Sequence, residues 1–266
     1  MNQTIGFYGA GNMGQAIIKG LIQSGIYQAK DIWIYDVYQP LVEKLAKVLH
    51  VNGAKTEQEL AEKSETIIFA VKPNVLPDLL VNLSKDLSTN QLLLSIAAGV
   101  SIEKIESSLS PNHKIVRIMP NTPALVGEGM SAITCNSMIT DEEKDLVLSI
   151  FNSFGKAEVV SEKLMDAVVG VSGSAPAYVY MFIESLADGA VLEGMPRQQA
   201  YEFAAQTVLG SAKMVLETGK HPGELKDMVT SPGGTTIEAV KTLEEKGFRS
   251  AVIDAVQSAS QKNKEL

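Results

Sequence analysis

The sequence predicts an α/β protein: an N-terminal Rossmann-type doubly wound sheet followed by an all-α C-terminal domain. Three observations predict it. Up to about residue 160, short β-rich runs alternate with helix-period patterns, which is the mark of βαβ units around a mostly parallel sheet. A Gly-x-Gly-x-x-Gly loop follows the first of these runs and opens an apolar-periodic helix. From about Lys163 onward the strand runs stop and long helical stretches take over.

Taken in order, "TIGFYG", "DIWIYD", "ETIIFAV", "QLLLSIA" and "KIVRIM" read as strands, and "NMGQAIIKGLIQSG" and "PLVEKLAKVL" as helices between them. "SAITC" and "KAEVVS", on either side of the helical "DEEKDLVLSIFNSFG", extend the sheet at one edge. The domains expected are residues 1–162 and 163–266, with "SEKLMDAVVGVSGSAPAY" crossing between them. The helical half holds "PAYVYMFIESLADGAVLEGM", "PRQQAYEFAAQTVLGSAKMVLETG", "TTIEAVKTLEEKG" and a last helix from Phe248. The first of these is apolar on nearly every side and broken by Glu184 and Asp188. It is too polar to span a membrane and too apolar for a one-sided surface helix. Cover on all sides is needed, so a homodimer through this domain is expected.

Composition narrows the function classes. A chain of 266 residues, 45% hydrophobic and 20% charged, is an ordinary soluble protein with a full core. A formal charge of -8 with no gathering of Lys and Arg argues against nucleic acid and anionic membranes as partners. The single Cys135 excludes an internal disulfide and reads as buried filler in "SAITC". "MNQTIGFYGAGNMG" lacks the pattern of a signal peptide, and a cytoplasmic enzyme is expected. His50 and His113 read as surface loop residues, His221 as a turn residue, and the three make no metal site.

The glycine loop carries the first chemistry. Gly9, Gly11 and Gly14 permit a tight turn and close approach to a pyrophosphate, while the helix behind offers unpaired N–H groups and a positive dipole end. Asp36 ends the second strand, where a carboxylate accepts hydrogen bonds from adenosine ribose hydroxyls. A 2′-phosphate about 5 Å away would be repelled by roughly 3 kcal/mol per unit charge at an effective dielectric of about 20. "DVYQP" has no Arg or Lys to offset this, so the sequence leans toward NADH. "AVKPN" (70–74), "IAAGV" (96–100) and "MPNTPALVGEG" (119–129) stand at the carboxyl ends of predicted strands, the edge where doubly wound sheets bind ligands.

The helical half is poor in proton donors. "SGSAPAYVYMFIESLADGA" contains no Lys or His, and its Tyr178 and Tyr180 read as helix-packing residues. Reduction of a carbonyl needs a positioned acid. An imine, protonated in advance, needs little beyond a hydroxyl hydrogen bond and good placement. "TSPGGTT" fits that need, with hydroxyls, glycines and a helix start that together make a carboxylate site. The same residues also suit a plain capped helix start.

"GAGNMG", "AVKP", "SGSAPAY", "HPGELKDMVTSPGGTTIEAV" and "FRSAV", in this order and spacing, resemble the pyrroline-5-carboxylate reductase family over essentially the whole chain. The resemblance implies NADPH- or NADH-dependent reduction of the cyclic imine Δ1-pyrroline-5-carboxylate to L-proline, the last step of proline biosynthesis. It implies a helical domain interlocking with its partner, in dimers open to further assembly. By position, it places the coenzyme on Gly9, Ala10, Gly11, Asn12, Met13 and Gly14, near Asp36, against Ala70, Val71, Lys72 and Pro73, and beside Ala97 and Asn121. It places the substrate carboxylate on Ser231, Gly233, Gly234 and Thr235, with Thr236 as the catalytic hydroxyl close to the imine nitrogen.

Three positions depart from the family pattern. Asp36 stands where NADPH-using members carry a small polar residue. Ala175 replaces the second glycine of "SGSGPAY", and Met228 stands where some members have asparagine. A β-hydroxyacid dehydrogenase shares the architecture but would need a catalytic Lys, and residues 175–193 have none. A non-enzymatic dinucleotide sensor would keep the first glycine loop without needing the second.

Overall fold

A computed structural model describes residues 4–265. The chain runs β1 (Ile5–Tyr8), α1 (Asn12–Ser24), β2 (Ile32–Tyr35), α2 (Gln39–Leu49), β3 (Asn52–Gly53), α3 (Glu57–Lys63), β4 (Thr66–Phe69), α4 (Leu76–Leu83), β5 (Leu92–Ser95), α5 (Ile102–Glu106) and β6 (Lys114–Met119). It continues through β7 (Gly129–Cys135), α6 (Asp141–Asn152), β8 (Gly155–Val159) and α7 (Met165–Val168). The helices α8 (Ala175–Leu192), α9 (Arg197–Thr218), α10 (Pro222–Met228), α11 (Thr235–Glu245) and α12 (Phe248–Asn263) complete it.

The strands form one eight-stranded sheet in the order β3-β2-β1-β4-β5-β6-β7-β8. β1, β4 and β5 are buried at every residue, which explains their unbroken apolar runs: a parallel strand covered by helices on both faces has no polar side. Pairing is parallel from β3 to β6, β7 is antiparallel to β6, and β8 is parallel to β7. One core lies between the sheet and α1 with α6, around Ile17, Leu21, Ile34, Val116, Ile150 and Phe151. The other lies under α3, α4 and α5, around Leu60, Ile67, Leu80, Leu93 and Ile105. Cys135 is partly buried against the first of these.

Compactness divides the chain into residues 1–173 with 259–266, and residues 174–258. Residues 162–173 belong to the sheet-bearing unit because they are tied to it. Glu162 pairs with Arg117 at 3.0 Å and accepts the Ile102 N–H at 2.9 Å, while Met165 is buried. Asp166 receives a hydrogen bond from Asn263 at 2.7 Å.

The second unit is helical, with no strand among its described residues. Its own core is three small side chains, Ala187, Ala200 and Ala204, flanked by Ile183, Val191 and Met195. Its larger apolar residues are open in the single chain, Met181 at 67% and Phe203 at 64%. Tyr178 packs as the sequence leads one to expect, its hydroxyl donating to the Ala255 carbonyl at 3.4 Å. Tyr180, by contrast, is 60% exposed in the single chain.

The histidines are placed less uniformly than the sequence implies. His50 is exposed and left-handed at the end of α2, and His221 caps α10 by accepting the Gly223 N–H at 3.0 Å on Nδ1. His113 is a correction: it is no surface residue but 2% exposed at the foot of β6, its Nε2 3.1 Å from Ser110 Oγ. Burial lowers its pKa, opposed in part by the Ser88 backbone. Ser110 in the loop ahead of β6 reaches the buried ring, which a polar "SPNH" string does not disclose.

Candidate active site

The glycine loop is built by steric exclusion. Gly9 has φ +95° and a Cβ there would stand 2.5 Å from the Ala70 carbonyl oxygen, so β1 and β4 can close only over a glycine. A Cβ on Gly14 would stand 2.7 Å from the Gly9 carbonyl oxygen, so α1 can start this close to the strand only with hydrogen at that position. Gly11 differs, because a Cβ there would meet nothing within 4 Å. Among the described residues nothing fills that space, and it is where a ligand's phosphates approach the backbone in such loops.

α1 has Gly11 as its N-cap, with no side-chain cap and no acidic residue in its first turn. The N–H groups of Asn12, Met13 and Gly14 therefore have no intrahelical acceptor and the dipole end is left for an anion. Ala10 is fully buried, and its N–H is taken by Asp36 Oδ2 at 2.9 Å. The other oxygen of Asp36 accepts the Tyr38 N–H at 3.0 Å.

Gly9, Gly11, Asp36, Ala70, Val71 and Lys72 line one largely apolar cavity of about 350 Å³. The residues so gathered fit a dinucleotide: a clear backbone approach, an uncapped helix start and a carboxylate at the end of β2. Pro73, Ala97 and Asn121 lie beyond the ends of β4, β5 and β6 and do not line this cavity. Ala97 is buried with its N–H on Ser95 Oγ at 3.3 Å. Asn121 is committed to the fold at both ends of its amide, donating to the Ser172 carbonyl at 3.0 Å and accepting the Met130 N–H at 2.8 Å.

Sequence reasoning missed part of the cavity wall, namely Tyr8, Tyr35, Val37, Glu57, Val75 and Leu79. The Tyr8 ring stacks on Phe69 and meets Tyr35 edge-on. Burial raises the Tyr35 pKa, with smaller contributions from the charges of Glu57 and Asp36. The capping pattern "TEQE" was the available signal for Glu57, since it marks a helix start. The two-residue β3 just before it has no readable period.

The second loop lies in the helical unit. Gly233 has φ +67°, and Gly234 is the N-cap of α11 with its N–H on the Ser231 carbonyl at 3.1 Å. A Cβ on Gly234 would collide with Ser231 Oγ. Thr230 Oγ1 is turned back onto the Lys226 carbonyl at 2.7 Å. No side chain caps α11, so a start rich in Ser and Thr leaves its first N–H groups unclaimed. Ser231, Gly233 and Thr235 are exposed, and Thr236 is half-buried.

Comparison with known proteins supplies what geometry alone does not. Residues 162–266 match the family model described as pyrroline-5-carboxylate reductase dimerisation. Residues 4–99 match that described as NADP oxidoreductase coenzyme F420-dependent. The chain is 53% identical over 266 residues to the pyrroline-5-carboxylate reductase of Escherichia coli K12, covering 100% of this chain and 99% of that protein. Among solved structures, a pyrroline-5-carboxylate reductase from Coxiella burnetii is similar with a TM-score of 0.93 at 33% identity, covering 99% and 98% of the two chains. The Plasmodium falciparum pyrroline carboxylate reductase with NADP bound is similar with a TM-score of 0.89 at 36% identity, covering 98% and 97%.

Proposed function

The chain belongs to the pyrroline-5-carboxylate reductase family, and from that membership we propose how its residues divide the reduction of Δ1-pyrroline-5-carboxylate to L-proline. It is an oxidoreductase, and a reduced nicotinamide coenzyme, when bound, supplies the hydride that adds to the C=N carbon. The chain's own task is to hold both reactants and to manage one proton at nitrogen.

The first turn of α1 holds the coenzyme's pyrophosphate on the N–H groups of Asn12, Met13 and Gly14. Asp36 accepts from the ribose hydroxyls while keeping its bond to Ala10. A carboxylate at that point favours NADH over NADPH. Val71, Lys72 and Pro73 flank the coenzyme, with Ala97 and Asn121 shaping the loops after β5 and β6.

The substrate carboxylate is held by the backbone of Gly233, Gly234 and Thr235 and by the Ser231 hydroxyl, and the Thr236 hydroxyl hydrogen-bonds the ring nitrogen. The observation that carries this assignment is the uncapped start of α11. A helix end that uses none of its neighbouring hydroxyls keeps both its N–H groups and those hydroxyls for an anion. Residues 163–266 pair with those of a second copy, a reading supported by the exposed apolar face of α8 and by the dimerisation model that matches there. We place the enzyme in the cytoplasm. The test is loss of nicotinamide absorbance on mixing purified protein with the imine and either NADH or NADPH. Turnover with neither coenzyme overturns the reading.

A further inference from the structure

We propose that Glu57 is a second carboxylate that discriminates against a phosphate on the adenosine ribose, acting beside Asp36 at the coenzyme cavity. The inference rests on the reading of Asp36 as the ribose partner. Both residues line the cavity. They reach it from different elements, Asp36 from the end of β2 and Glu57 from the first turn of α3.

Glu57 has no competing duty at its helix end. Thr56 Oγ1 accepts the Glu59 N–H at 3.1 Å and Glu59 Oε2 accepts the Lys55 N–H at 2.7 Å, so the start of α3 is capped by its neighbours. Among the described residues no ion pair includes Glu57 or Asp36. The position of Glu57 is nonetheless fixed, because its carbonyl accepts the buried Tyr8 hydroxyl at 2.6 Å. Tyr8 immediately precedes Gly9, so the peptide of Glu57 is held in register with the glycine loop. Tyr35, whose phenol feels both charges, lines the same cavity as Glu57 and Asp36.

Lys72 lines the same cavity and offers one positive charge. A ribose hydroxyl can donate to a carboxylate, whereas a phosphate meets two negative charges against one positive. Exposed charges act over the Debye length, about 30 Å at ~0.01 M salt and about 3 Å at ~1 M. Discrimination that comes from Glu57 must therefore fade with salt.

The experiment titrates the full-length protein and its Glu57→Gln and Glu57→Lys variants by calorimetry with NADH, NADPH, 5′-ADP and 2′,5′-ADP at both ionic strengths. At low salt, Glu57→Gln is expected to tighten NADPH and 2′,5′-ADP by about three- to tenfold, leaving NADH and 5′-ADP within about twofold. Glu57→Lys should tighten the phosphorylated ligands further, and both gains should shrink at high salt. Equal changes for all four ligands, or none, would reduce Glu57 to an acid at a helix start and overturn the proposal. An Asp36→Ser variant measured alongside separates the two readings. If it shifts the ratio while Glu57→Gln does not, the proposal alone fails. If Glu57→Gln shifts it while Asp36→Ser does not, the reading of Asp36 fails instead.

Discussion

The Asp36 carboxylate accepts the Ala10 N–H at 2.9 Å. This one bond ties the end of β2 to the glycine loop that follows β1. Asp36 is thus a strut for the loop as well as the charge proposed to stand beside the ribose. A carboxylate has about four lone-pair sites on its two oxygens, and backbone N–H groups use two, leaving acceptors for ribose hydroxyls.

Asp36→Ser should therefore do two things together. The ratio of NADPH to NADH affinity should rise about tenfold or more, from a solvent-screened repulsion near 1.4 kcal/mol. NADH binding should weaken by about tenfold or more, since a hydrogen bond to a charged group is worth roughly 1.5 to 3 kcal/mol. Dissociation constants from quenching of protein fluorescence give both numbers. An unchanged ratio means that Asp36 does not face the ribose.

His113 predicts an acid-sensitive fold. An imidazole is near pKa 6.5 when unfolded, and burial lowers it in the native state. The unfolded chain then binds more protons below about pH 6.5, so this stability is present above that value and lost as pH falls toward the native pKa. The slope contributed can reach about 1.4 kcal/mol per pH unit. Urea midpoints between about pH 7.5 and 5.5 should fall for the natural protein and be flatter in His113→Gln. Parallel curves would assign the acid sensitivity elsewhere.

Met181 sits in an open apolar groove on the helical unit with Phe182, Leu186, Leu243, Phe248 and Val252. If a second copy covers this face, Met181→Glu buries an unpaired charge there and should weaken association by about a hundredfold or more. Sedimentation velocity would show the mass fall while far-ultraviolet circular dichroism stays unchanged. An unaltered mass leaves the groove outside the subunit contact.

The fold class was legible because its signals are local. Unbroken apolar runs mark the buried parallel strands, and "GAGNMG" between one such run and a periodic helix marks the tight turn into α1. The wall of the cavity was only half legible. Asp36 and the "AVKP" residues stand directly after strands, where a strand end gives a position. Glu57 follows a two-residue strand, and its neighbourhood with Asp36 comes from sheet order β3-β2-β1, which no run of letters states. His113 was misread because burial in a loop depends on what folds over it. In the second loop, Ser and Thr were equally good as caps and as ligands, and only the backbone geometry distinguishes a capped end from an open one.

Gly233 and Gly234 respond to substitution for different reasons. Gly233 is left-handed, a conformation that costs most residues roughly 1–2 kcal/mol but that Asn tolerates. Gly233→Asn should keep the KM for the imine within a few-fold, whereas Gly233→Val should raise it well beyond that. Gly234→Ala moves the Ser231 hydroxyl out of place and should raise KM even with so small a side chain. If Gly234→Ala is silent in steady-state kinetics, Ser231 does not touch the carboxylate.

Thr236 gives the sharpest test, because its two possible roles move different observables. α11 takes no side-chain cap, and its N-cap is Gly234. Removing the Thr236 hydroxyl therefore leaves the helix start as it was, and thermal stability should change by less than about 0.5 kcal/mol, the usual range for a surface substitution. A hydroxyl that bonds the ring nitrogen more strongly as it becomes an amine stabilises the transition state over the ground state. In the proposed site the N–H groups of Gly233 and Thr235 hold the carboxylate equally in both, the Gly234 N–H being taken by the Ser231 carbonyl. Thr236→Ala should accordingly lower kcat about ten- to a hundredfold, within the usual reach of a positioned proton donor, with little change in KM. Thr236→Ser, which keeps the hydroxyl, should restore most of the rate. Steady-state kinetics with the imine varied at saturating coenzyme read both parameters. If kcat survives in Thr236→Ala, the proton at nitrogen comes from water or from the imine's own prior protonation.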